Sequence, residues 1–221
     1  MSVKESRGLR LLIATQNRGK ARELERMLEG LPVELVLPAD VGLALDVEET
    51  GATFEANAEL KARAFAAEAG LPTLADDSGL VVDALDGRPG VHSARYAGPP
   101  RSDRRNLEKL LAELRDVTDE RRSARFVCVT ALAVPPAGQP FAGAAPGEVS
   151  FFRGTCEGRI IREPRGTDGF GYDPVFVPEG LALTFAELPA GEKDARSHRG
   201  RAIDALRRRL VERLGTRPAE A

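Results

Sequence analysis

The sequence predicts a chain of strands and helices packed around a sheet, and three observations carry that reading. Leu9 to Thr15 is an apolar run broken only by Arg10, and a Gly-containing turn and an amphipathic helix follow it. Ala124 to Val134 is a long strand, apolar on both faces, which belongs at the centre of a sheet. Helical spacing of apolar residues recurs after Gly19, after Thr53 and after Ser102. With 221 residues, 42% of them apolar and 30% charged, the chain suffices for one large domain or two lobes sharing a core.

In order, the first helix places Ala21, Leu24, Leu28 and Leu31 on one face, and Gly30 and Pro32 end it. Val33 to Leu37 makes a second strand. Asp46 to Gly51 is an acidic loop, solvated on the simplest reading. Thr53 caps a helix that runs to about Ala69, closed by Gly70 and Pro72. Its stripe is Phe54, Ala58, Ala62, Phe65, Ala66 and Ala69, with Asn57 and Lys61 on or beside it. Lys61 either snorkels from the edge of that face or points into a cleft that holds an anion.

Thr73 to Ala75 and Leu80 to Leu85 read as strands joined by Asp76-Asp77-Ser78-Gly79, whose Ser-Gly pair suits a tight turn. Asp86 to Gly90 is a turn and Ser93 to Gly98 an exposed loop. Ser102 caps a helix carrying Leu107, Leu110, Leu111 and Leu114. Glu148 to Phe152 and Thr155 to Ile161 read as a hairpin meander. Gly166 to Pro174 is a Gly-rich loop, Val175 to Val177 a strand, and Thr184 to Leu188 a short element. An Arg-rich helix with Ala202, Leu206, Leu210 and Leu214 inward comes last, with a frayed tail from Arg217.

Several classes are excluded by composition. A net charge of −2 gives no case for nucleic-acid binding. No apolar run approaches the roughly 20 residues of a membrane span. Met1 to Arg10 has no signal-peptide core, so the expected location is the cytoplasm. Cys128 and Cys156 lack zinc spacing and are expected as free buried thiols.

Chemistry concentrates in a few segments. Paired carboxylates at Asp76 and Asp77, beside a buried strand, are costly unless offset, and a hard divalent cation takes carboxylate oxygens. Arginine is the default base, and only five lysines remain: Lys4, Lys20, Lys61, Lys109 and Lys193. An ammonium is a compact point charge suited to a phosphate oxygen. The turn after the first strand aims backbone N–H groups and a helix dipole at an anion, and Thr15, Asn17 and Lys20 add donors. In Gly169-Phe170-Gly171-Tyr172-Asp173, the aromatics could stack on a base and Asp173 could read its edge. Together these make a nucleoside triphosphate site.

The chain resembles the inosine triphosphate pyrophosphatase family. The resemblance rests on Thr15 to Lys20, Glu48-Glu49-Thr50-Gly51, Phe54 through Lys61, Ala75 to Leu80, Ser93 to Tyr96, Gly169 to Pro174 and Ser197 to Gly200. It runs in order from about Leu9 to Leu214, as a single nucleoside triphosphate pyrophosphatase domain. It implies an α/β fold: an elongated central mixed sheet with flanking helices, two lobes with a nucleotide cleft between them, and a homodimer. It also implies Mg²⁺-dependent hydrolysis of ITP, dITP and XTP to the monophosphate and pyrophosphate. By resemblance Asp77 is the general base or metal-organising carboxylate, and Glu48, Glu49, Asp76 and Asp77 are the metal acids. Thr15, Gln16, Asn17, Arg18, Gly19, Lys20 and Lys61 fall to the triphosphate. Ser78, Phe170, Gly171, Tyr172, Asp173, Lys193, His198 and Arg199 fall to the nucleoside. Gln16 stands where many relatives have glycine. The competing reading is a Maf-type pyrophosphatase of modified nucleotides, against which the Phe170–Asp173 and Ser197–Gly200 segments argue.

Overall fold

A computed structural model of the protein describes residues 9–15, 17–137 and 140–214. Gln16 and the tail from Arg217 lie outside the described residues, as does the Arg18 side chain. The strands are β1 (Leu9–Ile13), β2 (Val33–Val36), β3 (Thr73–Val82), β4 (Ser123–Ala133), β5 (Val149–Ile160) and β6 (Phe176–Pro178). The helices are α1 (Arg18–Leu28), α2 (Phe54–Ala69), α3 (Asp103–Glu113), α4 (Ala190–Arg196) and α5 (His198–Leu214). No helix among the described residues is long and apolar enough to cross a membrane.

The six strands form one mixed sheet, ordered β2-β1-β3-β4-β5-β6. β1 runs parallel to β2 and to β3, and the pairs from β3 to β6 are antiparallel. Alternation along the central strands sends successive side chains to opposite faces. On one face, Leu74 and Leu132 pack with Leu24 and Leu28 of α1 and with Ile203, Leu206 and Leu210 of α5. On the other, Ala75, Val127, Val129 and Ala131 pack with Phe54, Ala58, Ala62 and Phe65 of α2.

Helix ends follow their capping residues. Asn17 caps α1, its side chain accepting from Gly19 N at 2.8 Å and Lys20 N at 3.1 Å. Thr53 accepts from Ala56 N at the start of α2, and Gly70, at φ 63°, closes it in the left-handed region. Ser102 accepts from Arg105 N at the start of α3.

Five local expectations are corrected. Asp76 to Gly79 is no hairpin turn: β3 is one unbroken strand, paired to β4 from Thr73↔Ala133 to Val82↔Ala124. Gly79 serves close packing there, because a side chain would run into the Gly90 carbonyl and the Ser93 hydroxyl. The strand ends at Val82, and Asp83 to Leu85 is a 3₁₀ turn. β5 is likewise continuous, its Gly154 leaving room for α5 to cross, since a Cβ would meet the His198 carbonyl. The Ser93–Gly98 loop is partly 3₁₀ helix with Ser93 buried, and Thr184 to Leu188 is only a turn.

Candidate active site

After Leu74, β3 has no β1 neighbour, since the two strands pair only at Leu12↔Thr73 and Ile13↔Leu74. A cavity of about 200 Å³ opens at this edge, roofed by the turn that enters α1. Its position beyond the carboxyl end of a parallel strand is where open α/β sheets bind ligands. The missing edge lets both faces of β3 reach one space. Asp76 turns towards α1 and α5, Asp77 towards α2, and both line the cavity.

The acidic end is held by cations. Lys20 Nζ lies 3.0 Å from Asp76 Oδ2, and Arg199 donates to the same oxygen at 3.2 Å and to Ser78 Oγ at 2.9 Å. Lys61 points inward, not out along the helix: it donates to Glu49 Oε1 and to the Asp76 carbonyl, both at 2.7 Å. Lys61 also lies 3.9 Å from Asp77 Oδ1. Arg95 donates to Glu49 Oε2 at 3.2 Å and to the Glu49 carbonyl at 3.1 Å.

These contacts set the charges. Burial works to raise the Asp76 pKa, but Lys20, Arg199 and Lys61 outweigh it and hold the carboxylate ionised. Glu49 is lowered too, burial being outweighed by Lys61 with Lys20 and Arg95. Asp77 goes the other way: burial pushes it above the ordinary carboxylate range against the pull of Lys61, Lys20 and Asn57. A carboxylate so shifted, in a cleft, is a candidate functional position.

The other end is aromatic. Phe170 and Tyr172 line it, with His198 stacked 4.7 Å from Phe126 at 12° between planes. Burial, then Arg199 and Lys193, hold His198 neutral by depressing its pKa well below the usual value. Gly19 lets α1 approach Phe170, whose ring would crowd any Cβ there. Tyr172 uses its hydroxyl on the Ser93 carbonyl at 2.9 Å. Asp173 Oδ2 accepts from Phe170 N at 2.9 Å and from Lys193 Nζ at 2.7 Å, so it braces the loop from within.

The cavity gathers Thr15, Asn17, Lys20, Glu49, Lys61, Asp76, Asp77, Ser78, Phe170, Gly171, Tyr172, Asp173, Lys193, His198 and Arg199. Glu48 is exposed and outside its lining, as is Gly19, which acts through Phe170. Among the described residues no three His, Cys, Asp or Glu side chains are gathered as a ready metal cluster. Lysines stand between the acids instead. Three residues of the site have no assigned role in the sequence reading. Glu23, 5% exposed, accepts from Lys193 Nζ at 2.7 Å and from Arg199. Its spacing of three from Lys20 puts both on one side of α1, the only local signal. Asn57 and Arg95 lie within recognised segments, but their partners are distant in sequence.

A mixed sheet with acids and lysines at one end of a cavity and aromatics at the other defines an α/β protein with a candidate small-molecule site. The Ham1 family model matches residues 11–209, and the chain belongs to that family. It is 45% identical over 202 residues to the dITP/XTP pyrophosphatase of Oceanobacillus iheyensis, covering 91% of this chain and 98% of that one. It is 50% identical over 201 residues to the dITP/XTP pyrophosphatase of Geobacter sulfurreducens, covering 91% and 96%. Among solved structures, a HAM1 protein from Coxiella burnetii superposes with a TM-score of 0.81 at 42% identity, covering 92% of this chain and 99% of that one.

Proposed function

We propose that the chain is a single-domain, cytoplasmic pyrophosphatase that hydrolyses dITP, ITP and XTP to the nucleoside monophosphate and pyrophosphate. One observation carries this above the others: Asp77, Lys20 and Lys61 share one cavity with Phe170 and His198. The relatives' activity towards dITP and XTP, and identity near one half across most of the chain, support the substrate class.

Lys20 and Lys61 exchange their carboxylate partners for phosphate oxygens and neutralise the departing pyrophosphate. Asp77 orients a water towards the α-phosphorus and takes its proton as the new O–P bond forms and the α–β anhydride bond breaks. Phe170 and His198 hold the base between apolar faces. A 6-oxo group offers an acceptor where adenine offers a donor, and backbone N–H groups or cationic side chains near His198 and Arg199 favour the acceptor. Asp76 Oδ1 is buried without a hydrogen-bond partner and lines the cavity with Asp77 and Glu49, a set of oxygens open to a hard divalent cation once Lys20 and Lys61 turn to phosphate. We assign Mg²⁺ to these three residues; bound there it would neutralise phosphate charge as a Lewis acid. Glu48, outside the cavity, serves at most the flanking loop. We further propose a homodimer.

Pyrophosphate release from dITP, XTP, GTP and ATP, with and without Mg²⁺, tests the reading. Metal-dependent turnover with dITP and XTP well above GTP and ATP in kcat/KM is expected; comparable values for all four contradict it.

A further inference from the structure

Asn57 is the one polar residue among the six buried residues of α2, and it is fully buried. An apolar side chain would pack on that face without the cost of desolvating an amide. The amide instead divides between two partners. Its Nδ2 donates to Asp77 Oδ2 at 3.1 Å, and its Oδ1 accepts from Gly51 N at 2.7 Å. Gly51 is fitted to that contact: a Cβ there would stand 2.6 Å from Asn57 Oδ1 and 2.7 Å from the Ala56 Cβ. The second Asp77 oxygen, Oδ1, accepts from Ser78 N at 3.0 Å.

The terminal torsion of a carboxylate is ordinarily broad. Here one donor on each oxygen fixes the plane, and each oxygen keeps a further lone pair. The same amide sets the distance between Asp77 and the loop that carries Glu49. We propose that Asn57 is a positioning residue, which fixes the plane of the Asp77 carboxylate and locks it to the Glu49–Gly51 loop. This rests on the reading of Asp77 as the base.

Two variants test it beside Asp77→Asn. Asn57→Asp keeps the size and the acceptor for Gly51 but deletes the donor to Asp77. Asn57→Ala deletes both ties without adding charge, suits a helix, and decides the matter should the aspartate variant be unstable. Steady-state pyrophosphate release from dITP is measured for each, with thermal unfolding as the check on folding. The expected result is a kcat lower by about a hundredfold with KM within about threefold, because the lysines and the aromatic end are untouched. A folded Asn57→Ala whose kcat stays within about threefold of wild type overturns the proposal, as does a loss carried by KM. Full activity in Asp77→Asn overturns the reading of Asp77 itself; an inactive Asp77→Asn beside fully active Asn57 variants removes the positioning role alone.

Discussion

Lys20 Nζ lies 3.0 Å from Asp76 Oδ2, so a lysine of α1 rests on a carboxylate of β3. Lys61 rests on Glu49 in the same way at 2.7 Å. The acids and lysines of the cavity neutralise one another, and on the proposed function substrate and cation would separate these pairs together.

Lys20→Met is expected to lower kcat/KM for dITP by about a hundredfold, the scale of one lost stabilising group on a reacting phosphate. Thermal unfolding should also fall, because Asp76 is left buried with Arg199 as its remaining close cation. Initial rates and melting curves on one preparation check both.

Chelation is expected to abolish turnover while moving the melting temperature by less than about 3 °C, because Lys20 and Lys61 already neutralise the acids. Adding Mg²⁺ back should restore the rate. A large loss of stability with chelator would show that the cation has a structural role.

Arg95→Ala frees the Glu49 carboxylate and its backbone from the same guanidinium. The expected result is a kcat reduced about tenfold and a higher Mg²⁺ concentration at half-maximal rate, with little change in melting. A Mg²⁺ titration of the variant measures it.

Glu23 gives a pH-dependent contribution to stability. Burial works to raise its pKa, but Arg199 and Lys193 outweigh it, so the folded value lies below the unfolded one. Its contribution is therefore present above the unfolded pKa of about 4.3 and lost as pH falls through the folded value. Glu23→Gln should destabilise the protein at pH 7 by about 3 kcal/mol, as expected when one partner of a buried ion pair is removed. The gap from wild type should narrow as pH drops below about 4. Denaturant unfolding of both proteins from pH 7 to pH 3 tests this.

The starts of α2 and α3 were the most legible part of the chain, because Thr53 and Ser102 act on donors three residues on, whereas Asn17, expected to donate to an anion, caps α1 with its side-chain oxygen. The Asp76–Gly79 segment misled because Ser and Gly suit turns locally, whereas strand pairing to β4 and the approach of Gly90 decided the conformation. The break expected between Phe152 and Thr155 is absent because β5 runs through it, with Gly154 making room for α5. Lys61 was ambiguous for want of the Glu49 loop, twelve residues away. Glu23 meets Lys193 across 170 residues, a pairing that no local pattern announces. The segments that meet in the cavity were readable, while the buttresses behind them depend on tertiary contacts.

The proposed hydrolysis depends on the Asp77 carboxylate, and one comparison reaches it directly: pyrophosphate released from dITP with Mg²⁺ by wild type and by Asp77→Asn, both with cooperative unfolding. A kcat lower by about a hundred- to ten-thousand-fold is expected in the variant. A folded Asp77→Asn that turns over at the wild-type rate would contradict it.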